Sequence, residues 1–208
     1  MTKKLRAHHC VQALKKEYPD AICSLTYKSP FELLISVRLA AQCTDARVNM
    51  ITPALFDKYK TLDDYIDADV TDVEEIIRSC GFFFFFSLDI IGMAAMMEDN
   101  FDGIVPDNME DLLTLPGVGR KTANLILGDV YGKPAIVCDT HLIRIANRLG
   151  LVKTKNPHIV ERELAPILDP AESSDFCHRC VLHGRAVCTA RKAMCYKCCM
   201  SDYCKKVI

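Results

Sequence analysis

The stretch LPGVGRKTANLILGDVYG, Leu115 to Gly132, decides how the rest of the chain is read. Asp111 to Leu115 ends one short helix, Pro116-Gly117-Val118-Gly119 turns the chain, and Arg120 starts the next helix. Gly117 and Gly119 carry no Cβ, so the turn is tight and a ligand backbone can come close. The free N–H groups at the start of the second helix favour an anion. Such a turn grips a phosphate and fixes register, but it reads no base. Lys121 sits where the helix dipole is positive and beside Arg120, and both effects favour its neutral amine. That amine is the form that attacks carbon. The alternative is a Lys121 that only binds phosphate.

Working outward, the signals are helical. Ser29-Pro30-Phe31-Glu32 offers a cap, a proline at the first helical position and a capping-box glutamate before FELLISVRLAAQ. Thr71-Asp72-Val73-Glu74 repeats the box. Asn156-Pro157 opens a helix over HIVERELAPIL, and Asp139 caps HLIRIANRLG, where Ile143, Ala146 and Leu149 give a helical period. The apolar PAIVC, 134–138, suits a strand, but no second strand pairs with it. The expectation is an all-α chain.

Half of the 208 residues are apolar, enough for one large domain or two small ones. The N-terminal MTKKLRAHHC has charges but no apolar stretch after them, so no signal peptide is expected. The net charge of −1 hides an acidic span from Asp57 to Glu75 and a basic tail with Arg185, Arg191, Lys192 and Lys197. That asymmetry leaves room for a polyanionic partner.

Twelve cysteines in such a chain argue for metal or free thiols rather than disulfides. Cys188, Cys195, Cys198 and Cys204 follow C-x6-C-x2-C-x5-C, a spacing that suits either tetrahedral zinc or a [4Fe–4S] cluster. Cys199 reads as a spare. The loop TARKAM between the first two projects Arg191 and Lys192, a good arrangement for gripping phosphates. Asp139, eighteen residues after Lys121, is either only a cap or a carboxylate that takes a proton and stabilises a cationic sugar. Phe82 to Phe86 are five consecutive rings with no amphipathic period. They read either as a buried turn with one or two rings exposed or as an apolar wedge toward a partner.

LPGVGRKTAN, the later DTH at 139–141, the upstream AAQCTD at 40–45, HGR at 183–185 and the four-cysteine tail together resemble the endonuclease III family of DNA glycosylases, within the helix-hairpin-helix superfamily. The similarity runs over nearly the whole chain, from Leu5 to Cys204. It implies two helical domains: a central one over 22–133 carrying the hairpin, and a discontinuous one over 1–21 plus 134–208 holding a [4Fe–4S] cluster, with DNA across the cleft between them. It implies excision of oxidised pyrimidines in base excision repair, with AP-lyase cleavage. Lys121 would attack C1′ of a flipped nucleotide, Asp139 would assist, and Gln42 would fill the gap left behind. DNA contacts would fall to Gln42, Gly117, Gly119, Arg120, Arg191 and Lys192. Related adenine glycosylases carry a glutamate where this chain has Val37 and usually lack the hairpin lysine. The alternatives are a noncatalytic damage-binding module and a monofunctional glycosylase of adenine or alkylated bases. The expected partner is damaged duplex DNA, bound by a monomer in a bacterial cytoplasm. One departure stands out: after Gly81 the family has an aromatic, then polar residues and a Lys or Arg, where this chain runs Phe84, Phe85, Phe86, Ser87, Leu88.

Overall fold

The computed structural model describes residues 1–207, and among them there are helices and no strands. The chain divides into two compact units, Ser24–Tyr131 and Met1–Cys23 with Gly132–Ile208.

Within the continuous unit, α2 (Pro30–Leu39) is the buried axis. Ser29 accepts a hydrogen bond from the Glu32 amide at 3.2 Å, and Pro30 fills the first position. The Glu32 carboxylate closes the cap one residue early, on the Lys28 amide at 2.5 Å. Leu33, Leu34, Ile35, Ser36, Val37 and Leu39 are all buried, as expected of a helix apolar all round. Helices α3 (Asp45–Lys58) and α8 (Arg120–Asp129) pack on it, as does α6 (Phe83–Phe101). Helices α4 (Leu62–Ile66) and α5 (Val70–Ile77) cover α6, whose inward stripe is Phe86, Ile90, Met93, Ala94 and Met97. The short α7 (Met109–Leu112) leads into the hairpin.

Two caps differ from the sequence reading. Helix α5 is capped by Asp69, which accepts from the Thr71 amide at 2.8 Å, so it begins ahead of the Thr71 box. The closed capping box is instead Thr61 with Asp64, at the start of α4.

The discontinuous unit joins both ends of the chain. Helix α1 (Lys3–Glu17), with Ala7, Cys10, Val11 and Leu14 buried, packs on α11 (Ser173–Ala186), as does α9 (Thr140–Leu149). The buried stripe of α9 is Leu142, Ile145, Ala146 and Leu149, which keeps the expected Ala146 and Leu149 and leaves Ile143 half-buried. Helix α10 (Pro157–Leu164) opens at the Asn156 cap and stops before Pro166. Arg179, buried in α11, pairs with Glu172 at 2.8 Å and Asp175 at 2.6 Å, and Glu172 also binds Lys15 of α1. The run Ala135-Ile136-Val137 is buried yet forms no strand; Ser173 Oγ accepts the Ala135 amide at 3.1 Å.

Candidate active site and cysteine loop

Leu112 and Leu115 anchor the hairpin in the core of its unit. The Val118 amide donates to Leu115 O at 3.1 Å, and Gly117 sits at φ +70°, a left-handed conformation that a Cβ would strain. Gly119 is the N-cap of α8, with no side chain closing the cap and open space around it. The first amides of α8 therefore have no side-chain acceptor at the cap, the local geometry of an anion site. Arg120 and Lys121 are the first two residues of that helix, and Lys121 is exposed.

Three further segments of the same unit carry sequence-selected residues. Helix α2 ends at Leu39, and a turn closed by Gln42 N–H donating to Leu39 O at 3.4 Å leaves Gln42 exposed. The phenylalanine run is a helix start rather than a buried turn: only Phe82 precedes α6, with φ +47°. A bulky residue there is a strained outlier. Phe82, Phe84 and Phe85 are exposed, Phe83 is half-buried and Phe86 is buried, so three rings rather than one or two face solvent. The Cys80 thiol, just before this loop, hydrogen-bonds to Cys43, just after Gln42. Burial and that neighbour push the Cys80 thiol up to about 12.

Asp139 belongs to the other unit. Its Oδ1 accepts the Leu142 amide at 2.7 Å as the N-cap of α9, and the side chain remains partly exposed.

In that unit Cys188, Cys195, Cys198 and Cys204 line one partly open cavity. Among the described residues no three His, Cys, Asp or Glu side chains converge tightly enough to hold a single metal ion. The four thiols frame a volume rather than a point. Cys199 does not line this cavity. Burial raises the Cys198 and Cys204 thiols, so a metal that takes them as thiolates must displace their protons.

The second layer is well formed. Arg148 Nη1 donates to Cys188 Sγ at 3.2 Å and to Thr189 O at 2.7 Å, and Nη2 donates to Ala190 O at 3.2 Å. Arg144 donates to Cys188 O from Nε at 3.1 Å and from Nη2 at 3.0 Å. His183 lies 3.3 Å from Cys198 Sγ through Nε2 and 3.3 Å from the Tyr18 hydroxyl through Nδ1, and its burial holds it neutral, down to about 4. Gly184 is glycine because a Cβ would stand 2.5 Å from His141 Nδ1 and 2.8 Å from Arg144 Nη2. Thr189 ties the loop to Lys192 by two bonds, 2.8 and 3.1 Å, and leaves Arg191 and Lys192 exposed. Sequence reasoning missed Arg144 and Arg148; their i, i+4 spacing on α9, one turn apart, was the available signal.

A glycine hairpin ahead of a lysine and a four-cysteine loop define a helix-hairpin-helix repair protein, and comparison agrees. The model for the HhH-GPD superfamily base excision DNA repair protein matches residues 35–170. Endonuclease III of Synechocystis sp. is 44% identical over 204 residues, covering 98% of this chain and 93% of the relative. Two solved structures, a non-covalent endonuclease III–DNA complex and a trapped endonuclease III–DNA covalent intermediate, each align with a TM-score of 0.92 at 40% identity, over 99% of this chain and 97% of theirs. The chain belongs to the endonuclease III family, and it is an enzyme, a DNA glycosylase of base excision repair.

Proposed function

We propose that this protein removes oxidised pyrimidines from duplex DNA and then cuts the strand at the abasic site through Lys121. The observation that carries the reading is an exposed lysine in the first turn of α8, directly behind a glycine hairpin with an open helix start. The relative trapped as a covalent intermediate on DNA supports an enzyme-bound step.

The hairpin amides hold a backbone phosphate while the damaged nucleotide is extruded, because its glycosidic bond is inaccessible in the stack. The neutral Lys121 amine attacks C1′ and the base departs, taking up a proton. Loss of the amine proton and ring opening give an imine between Nζ and C1′. Removal of a C2′ proton then expels the 3′ phosphate by β-elimination. Asp139 supplies the negative charge that stabilises the cationic sugar and accepts a proton from the amine. Gln42 fills the vacated space in the duplex. Arg120, Arg191 and Lys192 grip phosphates, with Gly117 and Gly119 admitting the backbone. The two units are read as a hairpin domain and a cluster domain.

The cysteine cavity suits a [4Fe–4S] cluster, one thiolate for each iron, because its four thiols surround a space and do not converge on a point as a single tetrahedral zinc requires. Cys188, Cys195, Cys198 and Cys204 would hold it. When bound it supplies a rigid base for the Arg191–Lys192 loop and takes no part in bond breaking. The proposed setting is a bacterial cytoplasm, as relatives such as endonuclease III of Synechocystis sp. and of Escherichia coli are bacterial. Among the described residues no helix is long and apolar enough to cross a membrane.

The test is a nicking assay on duplexes carrying thymine glycol, an abasic site, or oxidised guanine opposite adenine. Scission of the first two and not the third is expected. Base release without scission would make the enzyme monofunctional, and binding without either would leave only docking. Visible absorbance of the purified protein separates iron–sulfur from zinc.

A further inference from the structure

Arg38 is a charge in the wrong place for an all-apolar helix. Every other residue from Leu33 to Leu39 is buried. Its guanidinium leaves α2 and meets α6: Nε and Nη2 lie 2.6 and 2.5 Å from Oδ2 of Asp89. The guanidinium carbon stands 4.6 Å from the centroid of the buried Phe86 ring. The third neighbour is the hairpin. A Cβ at Gly117 would be 2.5 Å from Arg38 Nε and 2.8 Å from Asp89 Oδ2. The ion pair thus occupies the space that any side chain at 117 would need. A second close approach, Pro116 Cγ 3.2 Å from a Cβ built on Gly92, presses the same turn onto α6.

Three segments converge on this pair. Arg38 lies four residues before Gln42, Phe86 and Asp89 lie behind the aromatic loop, and Gly117 lies four residues before Lys121. The Cys43–Cys80 thiol contact ties the first two segments at another point. We infer that the Arg38–Asp89 pair, held between the Phe86 ring and Gly117, is a positioning unit that fixes the Gln42 turn, the aromatic loop and the glycine hairpin in one register for DNA.

This inference rests on the proposed function and deepens it. Its rival is a phosphate hook: Arg38 adjoins the loop where Phe84 to Leu88 stand in place of polar and basic residues, and it could supply the missing charge. The geometry favours positioning. Two donors of the fork are given to Asp89, whose carboxylate neutralises the cation and would repel a phosphate beside it. The guanidinium also lies over the Phe86 ring while binding Asp89 through two nitrogens, a combination lysine's point charge does not reproduce.

The two readings part in one experiment. Arg38→Met, Arg38→Lys, Asp89→Asn and the double Arg38→Met/Asp89→Asn variant are prepared as cluster-loaded full-length protein. Dissociation constants for an abasic-analogue duplex are measured across salt, with single-turnover cleavage of an abasic duplex at saturating DNA and melting temperature alongside. A positioning unit predicts that Arg38→Met and Asp89→Asn each weaken binding roughly tenfold, and that the double variant is no weaker than the worse single. The salt slope should hold, cleavage at saturation should stay within about twofold, and Arg38→Lys should restore only part of the affinity. Tighter binding by Asp89→Asn, or a salt slope reduced by about one for Arg38→Met, would make Arg38 a hook and overturn the inference. Unchanged affinity in both isosteric variants would overturn it as well. A wild type that binds but never cleaves an abasic duplex would instead break the functional reading, leaving the coupling between the two residues to stand or fall on affinity alone.

Discussion

Arg148→Met is the most informative single change in the cysteine loop. It keeps the unbranched apolar stem of the side chain but deletes the guanidinium. Three bonds at 3.2 Å or shorter disappear, to Cys188 Sγ, Thr189 O and Ala190 O. A hydrogen bond to a charged donor contributes about 1.5–3 kcal/mol. These carbonyls lie near the surface, where water replaces part of what is lost, and Arg144 still holds Cys188 O. A net loss of about 2 kcal/mol for the closed loop is therefore expected, a factor of about 30 in its population. Since Arg191 and Lys192 ride on that loop, affinity for an abasic duplex should fall by about the same factor only if the closed loop is marginal, and by a few-fold otherwise. Limited proteolysis between Cys188 and Cys195 reads the loop directly, and fluorescence anisotropy reads affinity. Arg144→Met, which spares Thr189 and Ala190, should be milder on both. If Arg148→Met leaves cleavage susceptibility and affinity at wild-type values, the loop is held by the cluster alone and the bracing argument fails.

Other outcomes follow from the same contacts. Glu172 has its carboxyl held below the usual 4.5 chiefly by Lys15 and then by Arg179. A carboxylate with a depressed pKa contributes stability that is complete above its unfolded value and is lost as pH falls through the folded one. Glu172→Gln should therefore destabilise the protein by about 1–3 kcal/mol at neutral pH, and the gap to wild type should close below about pH 4.5 in thermal melts. Phe84→Ser with Phe85→Ser removes two exposed rings, so melting should change by no more than about 0.5 kcal/mol. Binding to duplexes with an unpaired base should weaken by about 1–3 kcal/mol per lost stack, and unchanged affinity would leave the rings with no role on DNA. Chelation of the metal under reducing conditions should bleach the visible absorbance and lower DNA affinity, while the far-ultraviolet helical signal of α2 to α8 persists.

Much of the fold was written locally. Ser29-Pro30, Asp139 and Asn156-Pro157 announce helix starts with groups that satisfy the first amides, and each start falls within a residue of where those groups place it. The Thr71 box failed because Asp69, two residues earlier, bonds both the Thr71 amide and its hydroxyl. The hairpin was legible because glycine at a tight turn has few other uses. The cysteine spacing points to a metal site without choosing the metal; the tertiary structure adds that the four thiols surround a space rather than a point. What stayed hidden depends on tertiary partners. Arg144 and Arg148 look like the solvated face of an amphipathic helix until the carbonyls of residues 188–190 are brought against them. Arg38 sits in an apolar run, and its partner Asp89 is 51 residues away.

The most direct test concerns the amine at position 121. Borohydride added during turnover of an abasic duplex should freeze a covalent protein–DNA adduct, with the peptide bearing Lys121 carrying the sugar by mass spectrometry. Lys121→Gln should give no adduct and no strand scission. An adduct mapped to another residue, or undiminished scission by Lys121→Gln, would contradict the account.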